Sequence, residues 1–259
     1  MKAGALVGLM FGICLVLGLV ILLVLVVPKP MCYYFDPMPL NMRGKTWPKT
    51  LFLTYKSQEA VPPYVMERFR KHAPGFNIEF YDDQRCIEFL STHFPPQVLK
   101  RYKSLKKGCH KADLWRYCVL WFYGGVYLDI KTPLEMDLLA MFPDQSQNYT
   151  VNGGSRHIFP YCHQGILVAK KGDPALYHAI HSILRMRNAW INLYYLVFTR
   201  QFYLIIQKHK QDWIIYKERC GRCGRDDVPD CKGFCCAIFD PVRNLRLCST
   251  RDPNFGKSW

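Results

Sequence analysis

The chain has 259 residues, half of them apolar or aromatic, and a formal net charge of +15. That length supports one well-buried domain with an appendage and is short for two typical domains. The charge speaks to partners and solubility rather than fold: with a membrane segment and no recognisable nucleic-acid module it argues against nucleic acid, and sugar diphosphates, anionic head groups or acidic glycans suit it better, unless the lysines merely solvate the surface.

From Ala3 to Val27 the sequence is apolar apart from small glycines, and a helix of that length crosses the roughly 30 Å hydrocarbon core. A cleaved signal peptide is the rival reading, but the flank Val26-Val27-Pro28-Lys29-Pro30 lacks a small-x-small cleavage site. Residues 1–28 therefore read as a cytoplasmic tip and transmembrane signal anchor, and 29–47 as a proline-rich stem. The body, 48–259, is expected to be luminal, in a single-pass type II protein of the Golgi or endoplasmic reticulum. The positive-inside count does not decide orientation. The sequon Asn148-Tyr149-Thr150 and the cysteines, 12 in all with only Cys14 in the apolar segment, favour the lumen.

Leu51–Tyr55 reads as a strand, Pro63–His72 as a helix and Asn77–Tyr81 as a second strand. Asp82 is placed to cap a helix running to about His93, with Cys86, Phe89 and Leu90 at helical spacing. A helix from about Lys111 to Tyr123, stopped by Gly124-Gly125, leads into the strand Val126–Ile130. Such alternation predicts an α/β domain with a largely parallel sheet.

In such sheets ligands gather at the carboxyl ends of strands, where Asp129 falls. An acid closing an apolar strand is costly to bury unless a cation, donor network or ligand compensates it. Asp113 and Arg116, at i and i+3, share one face of the preceding helix; the simpler alternative is a surface ion pair. His163, beside Gln164-Gly165, reads either as lining of the acceptor cleft or as a satisfied structural histidine; a lone histidine is more often the second, and it stays outside the expected site. The aromatic run Trp190–Tyr203 reads as core or cleft wall.

The block Asp113-Leu114-Trp115-Arg116-Tyr117 followed by Tyr123-Gly124-Gly125-Val126-Tyr127-Leu128-Asp129 resembles the glycosyltransferases with a DXD sugar-binding region. Within them it is similar to the family 32-like group of yeast Golgi mannosyltransferases and inositol-phosphoceramide mannosyltransferases, and to the catalytic domains of large clostridial toxins. The similarity extends upstream through Pro48–Lys56 and Phe80–Asp83, and more faintly downstream through Gln164–Val168 and Ser258-Trp259.

The resemblance implies a GT-A, Rossmann-like fold that transfers a hexose, with retention, from a nucleotide-sugar such as GDP-mannose or a UDP-sugar to a glycan or glycolipid hydroxyl. It implies that Asp113 and Arg116 hold donor-sugar hydroxyls, that Asp129 meets the donor ribose and a divalent metal, manganese or magnesium, that Ser258 and Trp259 reach the diphosphate, and that Thr54 and Tyr55 lie near the base.

Three departures stand out. Lys131 replaces the second acid of D-x-D, Phe52-Leu53 replaces the common His-Gln, and no acid or histidine immediately precedes Ser258-Trp259. The Lys131 ammonium is placed either to neutralise the leaving diphosphate or to pair with Asp129 on one strand face and silence the site. The second possibility makes the chain a non-catalytic sugar-nucleotide or glycan binder.

The cysteine-rich segment 220–248 holds Cys220, Cys223, Cys231, Cys235 and Cys236, and ends on Cys248. In an oxidising compartment it reads as disulfide-stapled, with a zinc site as the alternative.

Overall fold

The computed structural model describes residues 33–153, 159–193, 196–222 and 234–250, together with Asp252 and Phe255. The apolar segment read as a membrane anchor, Cys223, Cys231, Ser258 and Trp259 lie outside them. Among the described residues no helix is long and apolar enough to cross a membrane.

The first half alternates as its sequence demands. Strand β1 (Thr50–Thr54) is followed by α1 (Pro63–His72), β2 (Asn77–Tyr81), α2 (Asp83–His93), α3 (Pro96–Ser104), α4 (Gly108–Tyr123) and β3 (Gly125–Leu128). Prolines open α1 and α3 at a position where a missing N–H costs nothing. Asp82 caps α2, its carboxylate accepting from the Arg85 amide at 2.8 Å. Gly124, at φ 71°, closes α4, and Gly125, at φ 120°, starts β3.

The second half contains α5 (Leu138–Met141), β4 (Asn148–Asn152), β5 (Cys162–Ala169), α6 (Pro174–Arg185), α7 (Asn188–Leu193), α8 (Val197–Lys208), β6 (Trp213–Arg222), β7 (Phe234–Asp240) and β8 (Leu245–Ser249). All eight strands form one sheet in the order β2-β1-β3-β5-β4-β6-β7-β8.

The sheet is mixed, not largely parallel. β1 runs parallel to β2 and β3, and β4 to β6, but β5 is antiparallel to both its neighbours, and β6, β7 and β8 alternate. Helical crossovers make β1, β2 and β3 parallel; in the second half β5 turns back beside β4, and the helices α6 to α8 return the chain as β6, parallel to β4.

Two apolar clusters cover the sheet. One joins α2, α3, α4, α6 and α8 through Phe89, Trp115, Leu120, Ile180 and Phe202; the other gathers α1 and α5 through Phe69, Met141 and Phe142. Helix α4 is buried from Asp113 to Trp121 without a polar stripe, which marks it as the central helix. The aromatic run after Trp190 contributes Ile191, Phe198 and Phe202 to the core.

Residues 34–47, read as stem, belong to the folded body. Phe35 makes edge contacts with Phe94, Trp121 and Tyr177, the Gly44 amide donates to the Lys171 carbonyl at 2.9 Å, and Trp47 is buried. Proline content suggested an extended spacer, but the aromatic side chains between the prolines find partners.

A Cβ on Gly125 would stand 2.7 Å from the Thr50 carbonyl oxygen of β1, whereas one on Gly75, also at positive φ (75°), meets nothing within 4 Å. Both substitutions by alanine carry backbone strain of about 1–3 kcal/mol. Gly125→Ala should therefore lower the thermal midpoint clearly more than Gly75→Ala, and equal midpoints would contradict the close approach of β1 and β3.

Candidate active site

A cavity of about 710 Å3 opens beyond the carboxyl ends of β1 and β3, bounded by Thr54 to Lys56, by α4 and by the start of β5. Its charged floor is built around Arg116. One turn along α4, Asp113 Oδ1 lies 3.4 Å from Arg116 Nη2, and the same nitrogen lies 3.3 Å from Asp129 Oδ1 beyond β3. Nη1 donates to the Gln164 carbonyl on β5, and Nε to the Ala112 carbonyl at 3.2 Å. The guanidinium lies 4.4 Å from the Tyr127 ring centroid, and the Tyr127 hydroxyl donates to Asp129 Oδ1 at 2.7 Å. The surface ion-pair reading of Asp113 and Arg116 is overturned, because they are only 6% and 4% exposed.

Burial raises the Asp113 carboxyl to about 7; Arg116 pulls it down and Asp129 adds to the rise. Burial works against the Arg116 charge too, but Tyr127, Asp129 and Asp113 outweigh it and hold the guanidinium above its ordinary value. The Tyr127 hydroxyl is pushed well up, chiefly by burial.

Strand β3 ends at Leu128, so Asp129 opens a turn, with the Thr132 amide donating to its carbonyl at 2.8 Å. Asp129 and Lys131 therefore do not share a strand face by simple alternation. Lys131 is buried beside the cavity, its Nζ 5.2 Å from the Phe255 ring centroid. Thr54 and Tyr55 line the same cavity; the Thr54 hydroxyl donates to the Tyr81 carbonyl at 2.7 Å, and Tyr55 packs against Phe255. The structure thus brings Thr54, Tyr55, Asp113, Arg116, Asp129 and Lys131 to one cavity.

Gln164, Gly165 and His163 were not read as site residues. Antiparallel pairing carries them there: the Asp129 amide donates to the Gly165 carbonyl at 2.8 Å. A Cβ on Gly165 would lie 2.8 Å from both Asp129 Oδ2 and His163 Nε2, so both side chains crowd against the bare glycine. His163 Nδ1 faces Glu218 Oε1 at 3.8 Å, and Glu218 Oε2 accepts from the Tyr161 hydroxyl at 2.8 Å. The only sequence signal for this was the Gln-Gly step itself.

A divalent ion at Asp129 cannot use Lys131, which has no lone pair when charged. Asp129 Oδ1 is engaged by Arg116 and Tyr127, which leaves Oδ2. That one carboxylate oxygen fits an ion whose remaining shell comes from phosphate and water.

Asn148 is corrected as a glycosylation site. It is fully buried in β4, its amide donating to Asp173 Oδ2 at 2.7 Å and its Oδ1 accepting from the Lys170 amide at 2.8 Å. An N-linked sugar needs that nitrogen at the surface. In the cysteine-rich segment, Cys220 and Cys236 stand opposite each other on β6 and β7 and form a disulfide. Glu218 lies with these sulfurs within 4.8 Å, but the bond between them removes the thiolates a zinc site would need.

Residues 63–148 match the family described as the glycosyltransferase sugar-binding region containing a DXD motif; in this chain the motif reads Asp129-Ile130-Lys131. The chain is 25% identical over 142 residues to inositol phosphoceramide mannosyltransferase 3 of Schizosaccharomyces pombe, a match covering 53% of this chain and 37% of that one. It is 31% identical over 101 residues to the mannosyl phosphorylinositol ceramide synthase SUR1 of Saccharomyces cerevisiae, covering 37% and 26%. An uncharacterized glycosyltransferase of Acanthamoeba polyphaga mimivirus is 43% identical over 56 residues, 22% of each chain. The matches thus span well under half the length of these relatives. In fold the chain is similar to the PaToxG glycosyltransferase, with a TM-score of 0.50 at 14% identity over 64% of this chain and 71% of that one. The architecture is a mixed α/β fold with a central sheet, like that of a GT-A glycosyltransferase.

The raised Asp113 carboxyl has a pH signature. The folded state binds its proton more tightly than the unfolded chain, so this group's stabilisation is full below about pH 4 and is lost as pH rises through about 7. Asp113→Asn should remove that loss, so the stability gap between variant and wild type, read by urea unfolding, should shift in the variant's favour from pH 4 to 7. A gap that does not change with pH would refute the assignment.

Proposed function

We propose that this chain is a membrane-anchored glycosyltransferase that moves a hexose from a nucleotide-sugar, GDP-mannose or a UDP-sugar, to a hydroxyl of a glycan or glycolipid with retention. The supporting observation is the buried Asp113–Arg116–Asp129 bridge on the floor of a cavity whose flanking segment is a glycosyltransferase sugar-binding region. In this reading residues 1–28 anchor the protein as a type II signal anchor in the Golgi or endoplasmic reticulum, with the folded body in the lumen.

Thr54 and Tyr55 border the base, Asp113 and Arg116 hold hydroxyls of the donor sugar, and Asp129 meets the ribose. Ser258 and Trp259 are assigned to the diphosphate by resemblance alone. A manganese or magnesium ion held through Asp129 would supply positive charge to the diphosphate. Lys131 supplies a second positive charge at the cavity wall. As the bond from the anomeric carbon to the diphosphate oxygen breaks, that oxygen gains negative charge; the acceptor oxygen bonds to the same face, and its proton passes to the departing phosphate. Preorganised cations are worth most at such a developing charge. Asp113, near 7, donates or accepts a hydroxyl hydrogen bond according to its protonation.

A non-catalytic binder of sugar-nucleotides is the second reading, favoured by Lys131 standing where the motif has an acid. Incubating the full chain with a panel of GDP- and UDP-sugars and following nucleoside diphosphate release separates the two; nucleotide-sugar binding without turnover on any acceptor would support the binder. Asp129→Ala should lower turnover by about 100-fold or more, comparable to losing a preorganised transition-state contact. Lys131→Ala should lower turnover more than donor affinity. An indifferent Asp129→Ala would remove the assigned role.

A further inference from the structure

We infer that Glu218, presented by Tyr161, is the acceptor-binding carboxylate of the cavity, and that the group it holds is a neutral polyol, a sugar or cyclitol ring bonded through its hydroxyls. The inference rests on the glycosyltransferase reading above and names the part of the site that grips the second substrate.

The sheet order lays the cavity out along its rim. Thr54 stands on β1, Asp129 follows β3, His163 lies on β5 and Glu218 on β6, with β4 between the last two. β1 and β6 are four strand spacings apart, roughly 19 Å. Yet Thr54, Asp129, Tyr161, His163 and Glu218 all line one cavity. With the base at Thr54 and Tyr55 and the donor sugar over Asp113, Arg116 and Asp129, the β6 end is left for the molecule that receives the sugar.

That end has a definite construction. β4 stops at Asn152, which pairs with Cys162 on one side and Lys217 on the other. One residue further along, Tyr161, Gly153 and Glu218 stand in a row across the three strands, and the Gly153 amide donates to the Tyr161 carbonyl at 2.8 Å. A Cβ on Gly153 would lie 2.3 Å from the Tyr161 ring. The bare backbone therefore lets the ring cross the end of β4, and its hydroxyl donates to Glu218 Oε2 at 2.8 Å. This bond orients a carboxylate that is only 8% exposed and still borders the cavity. The His163 ring stands between the two acids: its Nδ1 lies 3.8 Å from Glu218 Oε1, and its Nε2 packs against Gly165, as Asp129 does.

An ionised carboxylate only accepts hydrogen bonds, so it pairs with hydroxyl hydrogens and repels anionic groups. A hydrogen bond to a charged group is also among the stronger ones available to a hydroxyl. Glu218 is thus the specificity-determining contact for a neutral ring, and Tyr161 its positioning residue.

The test is saturation-transfer NMR on the full chain in detergent micelles, with GDP or with UDP, using methyl α-mannoside, methyl β-galactoside and myo-inositol as neutral probes and glucuronate as an anionic one. Wild type should contact at least one neutral probe and bind it more tightly than glucuronate. Glu218→Gln keeps the size of the side chain and an oxygen for Tyr161; it should weaken the neutral probe at least about fivefold, as loss of a charge-assisted hydrogen bond does, with GDP and UDP affinity unchanged. It should also narrow the preference over glucuronate, which a merely structural glutamate would not do, and Tyr161→Phe should shift both readouts in the same direction. Equal probe binding by wild type and Glu218→Gln, or no contact with any neutral probe, would overturn the inference. So would an equal loss of nucleotide and probe affinity in Glu218→Gln, which marks damage to the fold. Calorimetry of wild type with GDP and UDP decides the wider reading separately: it stands if a nucleotide binds, and falls together with the inference if neither does.

Discussion

The guanidinium of Arg116 lies between two carboxylates, where water reaches almost none of it. Taking such a charge out of water costs several kcal/mol unless its donors are all matched, and here carboxylates, carbonyls and an aromatic face surround it on every side. Its partners come from α4, from the turn after β3 and from β5. One cation therefore fixes the relative positions of the three elements that floor the cavity. A lysine could not replace it, since only a planar fork reaches Asp113, Asp129 and the Gln164 carbonyl together.

This requirement explains why the central helix carries charge in an otherwise apolar run. From Asp113 to Trp121, α4 is buried throughout, so its i,i+3 pair cannot be a solvated face. The pair is affordable only because Tyr127 on β3 and Asp129 in the turn after it complete it, and because the Asp113 carboxyl, near 7, can shed its charge by taking up a proton.

The first half of the fold was legible because local chemistry dictates it. Proline openings, the Asp82 cap and the Gly124-Gly125 stop placed α1, β2, α2 and the end of α4 close to their observed limits. The second half was not, because strand direction depends on pairing partners distant in sequence. Antiparallel β5 inserts beside β3, and that pairing carries Gly165 and His163 to Asp129. No periodicity in the residues 162–169 announces such a neighbour. The same limit hid the burial of Asn148: a three-residue sequon carries no information about the core strand around it. It also hid the docking of residues 34–47, whose prolines suggested a spacer while Phe35 and Trp47 supplied the anchors.

Lys131 changes the electrostatics of the motif in a definite way. Replacing an aspartate by a lysine adds two units of positive charge beside the cavity, the same increment a divalent ion brings. In the proposed reaction part of the neutralisation of the leaving group is thus built into the chain. The two are not equivalent, because an ammonium is a hydrated point charge with three movable donors, whereas a bound divalent ion orients phosphate oxygens along fixed directions. In the proposed reaction Lys131 therefore supplies charge without direction, and direction falls to an ion held through the free oxygen of Asp129, since Arg116 and Tyr127 already engage the other.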